Sequence, residues 1–112
     1  MAIGDVTLKK IFQGALSTAV TARYTCPASK QAQITDIWLD NQNTTTTRYV
    51  SLYAHGTAAT NRLVGKIQIR PGYSVNISQG RIVLDAGQVL ALAQDVGTDV
   101  VATIYGTEEV VI

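Results

Sequence analysis

His55 is the only histidine in the chain and Cys26 the only cysteine, so the two side chains most often used in catalysis each occur once. A metal centre of two or three imidazoles is thereby excluded. His55 stands beside Gly56 and reads as a loop residue, while Cys26 precedes Pro27 and has no Cys-x-x-Cys partner. A Cys26–His55 pair brought together in space would make a nucleophile and its base, but no neighbouring residue supports it. A buried structural thiol is the simpler expectation. Serines occur without the Gly-x-Ser-x-Gly elbow, and Gly80, Gly87 and Gly97 are isolated rather than arranged as a phosphate-binding loop.

The carboxylates lead no further. Asp36 and Asp40 fall on one face of a strand, roughly 13 Å apart at the usual rise per residue. Paired glycosidase carboxylates stand closer than that. Asp95 and Asp99 bracket Gly97 in a way that hints at calcium, but the ligand ladder of an EF-hand is missing and a hairpin turn is expected instead. The residues therefore predict no catalytic group, no cofactor and no metal, and the chain reads as a non-enzyme.

The side chains left with recognition chemistry are aromatic. Trp38, Tyr49 and Tyr53 alternate with Ile37, Leu39, Val50 and Leu52 and so share the opposite faces of their strands. Such a patch suits a carbohydrate platform, a protein interface or cross-strand packing, and the pattern leaves all three open. Phe12 and the apolar run Val110-Val111-Ile112 join these three as candidate interface residues. That run is either a paired last strand or a contact with a neighbour, and residues 1–12 pose the same question as an arm.

The elements that must position these side chains are strands. Period-two alternation is clearest at Lys66 to Arg70, with Ile67 and Ile69 inward, and recurs at Thr35 to Asp40, Arg48 to Tyr53 and Tyr73 to Ser78. Further runs cover Val6 to Phe12, Ala19 to Thr25, Arg81 to Leu84, Gln88 to Ala93 and Asp99 to Tyr105. Turn chemistry separates them: Asn41 to Thr44, His55 to Asn61, Pro71-Gly72, Gln79-Gly80, Asp85 to Gln88 and Asp95 to Thr98. No helical stripe is present, and Ala54 to Asn61 has room for one helical turn at most. About 8–9 short strands at this spacing predict an all-β fold, an antiparallel β-sandwich of jelly-roll type. With 112 residues the chain is sized for a single domain spanning 1–112.

Composition narrows the partners. Charged residues make up 15% of the chain, against about 25% in typical proteins. Thr, Ser, Asn, Gln and Ala take their place, which suits surfaces covered in an assembly. The nine Lys and Arg residues are scattered, so the basic stripe of a nucleic-acid binder is missing. No apolar run approaches the ~18 residues needed to span a bilayer. The opening Met1-Ala2-Ile3-Gly4-Asp5 lacks the basic and apolar regions of a signal peptide, which predicts synthesis in a cytosol without export.

One long pattern remains. It runs through Gly4-Asp5-Val6-Thr7-Leu8, Tyr24-Thr25-Cys26-Pro27-Ala28 and Ile34-Thr35-Asp36-Ile37-Trp38-Leu39-Asp40-Asn41. It continues through Arg48 to Tyr53, Thr60 to Leu63, Leu84-Asp85-Ala86-Gly87-Gln88-Val89-Leu90 and Ala102 to Gly106. Over nearly the whole chain this resembles the small β-sandwich virion proteins of tailed bacteriophages. The resemblance implies a virion location and a capsid decoration (cement) protein that binds the outer head lattice of a major capsid protein and stabilises it. It also implies a homo-oligomer, with a trimer favoured. The alternatives are a tail, baseplate or fibre accessory subunit, or a carbohydrate-binding receptor module that would take a glycan on its exposed aromatics.

Overall fold

The computed structural model describes residues 2–77 and 81–112. Among them nine strands run in chain order: β1 (Val6–Ala15), β2 (Thr21–Thr25), β3 (Lys30–Asn41), β4 (Arg48–Ala54), β5 (Arg62–Ile69), β6 (Ser74–Asn76), β7 (Ile82–Asp85), β8 (Val89–Gln94) and β9 (Val100–Val110). A single 3-10 turn, Ala59–Asn61, falls inside the segment expected to hold at most one. The expected Gln79-Gly80 turn and the end of the Tyr73 to Ser78 run lie outside the described residues.

The strands form two antiparallel sheets. One has the order β1-β9-β3-β6, with β7 also pairing β3, and the other β2-β8-β4-β5. The all-β, antiparallel, two-sheet architecture is the one the alternation predicts, although β1, β3 and β9 are 10–12 residues long rather than short. Alternation sets which side chains share a face, and the structure shows which of the two faces is the core. Ile37 and Leu39 from β3, Val50 and Leu52 from β4, and Ile69 from β5 are buried. They join Leu84, Leu90, Leu92, Ala102 and Ile104 in one core cluster between the sheets.

Among the described residues the β4–β5 link alone is a hairpin between adjacent strands, whereas most other connections cross from one sheet to the other. The Asp95 to Asp99 turn is one of the crossings, which corrects the hairpin expected there. It takes the chain from β8 to β9 with Gly97 at φ +83°, a conformation that favours glycine. Its geometry is set by Asp99, which pairs with Arg48 at the start of β4 (Nε to Oδ1 2.9 Å). Asp99 also accepts from Gln94 Nε2 (2.9 Å) and Asn43 Nδ2 (3.0 Å). Buried Asn41 closes the same end of the sandwich, donating to the carbonyls of Thr46 (2.9 Å) and Ile69 (3.1 Å).

Two bulges interrupt the first sheet on either side of the same stretch of β9. The register of β1 shifts between Lys10 and Phe12, and that of β3 between Ile34 and Asp36. Such an extra residue bends and twists a strand. In β1 it lets Ile11 and Phe12, consecutive in sequence, both pack toward the core.

Candidate interaction surfaces

The structure separates the three aromatics that alternation had grouped. Trp38 belongs to β3 and is 46% exposed on the outer face of the first sheet. Tyr49 and Tyr53 belong to β4 and point outward from the second sheet. They therefore lie on opposite sides of the sandwich. The reason is plain: alternation reports which face of a strand is outward but not which sheet the strand joins.

The other four candidates divide as well. Phe12 packs against the core, with the Arg23 guanidinium 5.5 Å from its ring centroid, a cation–π arrangement. Val110 is buried at the end of β9. Val111 and Ile112 are exposed, Ile112 to 81%. The last strand pairs within its own chain: Gly4 and Val111 donate to the carbonyls of Val110 (2.7 Å) and Ser29 (3.0 Å). Strand β1 likewise pairs with β9 along its length, from Val6 opposite Glu109 to Ala15 opposite Val101.

Two surfaces emerge. The first is the outer face and free edge of the β1 side. Val6 and Leu8 project outward from β1, Leu8 at 85% exposure, and Tyr105 follows on β9. Among the described residues β1 has one partner strand, so its other edge offers unpaired backbone groups. The second surface is a groove of about 560 Å³ on the outer face of the second sheet, lined by Tyr49, Ser51, Tyr53, Arg62, Lys66 and neighbouring residues.

Sequence reasoning missed one polar cluster altogether. Glu108 sits on the inward phase of β9 and is 2% exposed. The Tyr24 hydroxyl of β2 donates to Oε2, and the ammonium groups of Lys9 and Lys30 lie 3.2 Å and 3.3 Å from Oε1. Burial alone would push the Glu108 carboxyl up, but the Tyr24 hydroxyl and the two lysines outweigh it and hold it below its usual range. Tyr24 is pushed up in turn, by burial first and then by the carboxylate it faces. Cys26, close by, is buried and donates weakly to the Lys30 carbonyl (3.4 Å). Burial is the main reason its thiol is pushed up. No signal in the sequence pairs these residues, since Glu108 is separated from Lys9 by 99 positions.

His55 and Cys26 are not brought together as a catalytic couple. The His55 ring places Nε2 2.8 Å from the Val83 carbonyl, tying the end of β4 to β7 in the other sheet. Among the described residues no group of three or more His, Cys, Asp or Glu side chains could hold a metal ion. Nor is any helix among them long and apolar enough to cross a membrane.

No protein-family model and no curated protein matches this chain. A solved structure does: that of the Bacillus endospore appendages, described as a novel family of disulfide-linked pili. The superposition has a TM-score of 0.55 at 12% identity and covers 100% of this chain and 96% of that one. At that identity the likeness shows the shared fold alone.

Proposed function

We propose that the chain acts over residues 1–112 as one domain, a non-enzymatic structural subunit that assembles with copies of itself. The main support is the free edge of β1. It spans ten residues, and Val6 and Leu8 stand exposed beside it. Proteins that stay monomeric guard such an edge with charge, proline or covering loops. Here the guard is slight, a bulge and Lys10, because Lys9 is engaged with Glu108. A second copy supplies what the edge lacks, a strand with unpaired N–H and C=O groups of its own. The low charge of the whole chain favours close packing of copies.

Assembly of this kind suits both an extracellular appendage and a virion. The likeness to an appendage subunit favours contacts between identical chains over attachment to a foreign lattice. The head-decoration form, with a trimer seated on a major capsid protein, rests on the motif resemblance alone. Light scattering at rising protein concentration, with negative-stain microscopy of the same samples, tests the proposal. Concentration-dependent oligomers or filaments are expected. A strict monomer throughout would overturn it.

A further inference from the structure

The groove on the second sheet lies on the opposite side of the sandwich from the face of β1, and its features stand independently of assembly. It exists because two small residues meet. Ser51 on β4 is paired with Ala93 on β8, both outward-facing, and together they form a low floor. Tyr49 and Tyr53, two positions to either side of Ser51 on β4, rise as end walls roughly 13 Å apart at their Cα atoms. The side wall is cationic. Lys66 stands at an irregularity of β5 with φ 51°, a conformation L-residues rarely adopt, and its backbone N–H donates to Ser51 Oγ (3.4 Å). The Arg62 guanidinium lies over Gly65, where a Cβ would come within 3.0 Å of it.

The ion pairs of the described residues use Lys9, Lys30 and Arg48 and leave both Arg62 and Lys66 without a carboxylate. The one acid in the lining, Asp95, accepts from the Tyr49 backbone N–H through Oδ1 (3.1 Å). The groove thus combines two free cations, one acid, a small hydroxyl and two aromatic rings. Its volume of about 560 Å³ falls within the roughly 300–1,000 Å³ of small-molecule sites.

We infer that this groove binds an acidic saccharide, one or two sugar rings bearing a carboxylate. The carboxylate pairs with Arg62 and Lys66, the C–H face of a ring lies on a tyrosine, and hydroxyls reach Ser51 and Asp95. A neutral sugar leaves both cations unmatched. An acidic peptide in extended form would have to run past the two tyrosine end walls, so a short groove with these ends favours the sugar.

The test is calorimetric titration of the intact protein with short oligomers of glucuronate-, mannuronate- and galacturonate-containing glycans and with sialyllactose. Chitohexaose and a polyglutamate peptide serve as neutral and peptide controls. At least one acidic glycan is expected to bind, more weakly as salt rises, and to quench tyrosine emission. Trp38 emission, arising on the other sheet, is expected to stay unchanged. The double variant Arg62→Gln, Lys66→Gln is expected to weaken binding at least tenfold. Ala93→Phe fills the floor with both cations in place and is expected to abolish binding while leaving the melting curve and the oligomeric state unaltered. Should no acidic glycan bind, or should chitohexaose or polyglutamate bind as tightly, the inference fails.

Discussion

Glu108 is a carboxylate held inside a sandwich by donors from three strands, and two of them, Lys9 and Lys30, keep part of their side chains in water. Removing it leaves two ammonium groups and the Tyr24 hydroxyl without their acceptor. The two ammonium groups regain water while the half-buried Tyr24 hydroxyl loses its acceptor, so Glu108→Ala is expected to lose about 2 kcal/mol in urea unfolding. Tyr24→Phe, which removes one hydrogen bond and no charge, is expected to lose closer to 1 kcal/mol. Glu108 and Asp99 both have folded-state values below the usual carboxylate range. For Asp99 the first cause is the Arg48 guanidinium, followed by the Gln94 amide. Their stabilising effect is therefore complete above the unfolded values near pH 4 and is lost as pH falls through the lower folded values. The urea midpoint is expected to hold steady from neutrality down to about pH 5 and to fall below about pH 4. Asp99→Asn and Glu108→Gln are each expected to make that fall shallower. Gly106 is constrained differently. A Cβ there would stand 2.3 Å from the Gln33 carbonyl oxygen, and that atom is backbone with no side-chain freedom to yield. Gly106→Ala must push β3 away from β9, at an expected cost of about 3 kcal/mol or more.

At the scale of elements, β1 joins the two roles of a terminal strand, one edge paired to β9 and the other open. Leu8→Lys tests the open edge. Leu8 makes so little burial in the isolated subunit that the substitution is expected to shift unfolding by no more than about 0.5 kcal/mol. In light scattering the same change is expected to reduce self-association clearly. All nine strands were legible in the sequence as apolar runs with bounding turns, but Lys30 to Ile34, Arg62 to Gly65 and Gly106 to Val110 extend β3, β5 and β9 beyond the runs read there. Which side chains share a face was legible from the alternation, but which face is core was not: Ile37, Val50 and Ile69 turn inward, whereas Val6 and Leu8 of β1 turn outward. Sheet membership was not legible either, because nothing local in Trp38 or Tyr49 records that β3 and β4 belong to different sheets. The turns misled in the same way: Asp95 to Asp99 has the residues of a hairpin yet carries the chain across the core. Phe12 escaped the pattern because the bulge at Ile11 shifts the phase of β1. The groove was half visible. Tyr49 and Tyr53 were singled out, but Arg62, Lys66 and Ala93 reach it only through the pairing of β5 and β8 with β4.

For the whole molecule, thiol chemistry separates this chain from the appendage it resembles in fold. One cysteine can form one disulfide, which joins two chains and cannot extend a polymer. Cys26 is also 1% exposed, and burial holds its thiol in the protonated form. Whatever this subunit builds is therefore expected to survive reductant unchanged, and a thiol-reactive dye is expected to label Cys26 only after unfolding. Reductant-sensitive particles would contradict this. The order of the first sheet has a different consequence, one in time. Strand β9 lies between β1 and β3, although it is the last of the nine to be synthesised. Until its residues leave the ribosome, β1 has no partner strand and β3 pairs only with β6 and β7, so the first sheet covers the second incompletely. The nascent chain thus keeps part of its apolar interior open longest and closes the first sheet in one late step, as expected where pairings are distant in sequence. Chains stalled before Val100 are the species that will need chaperone protection.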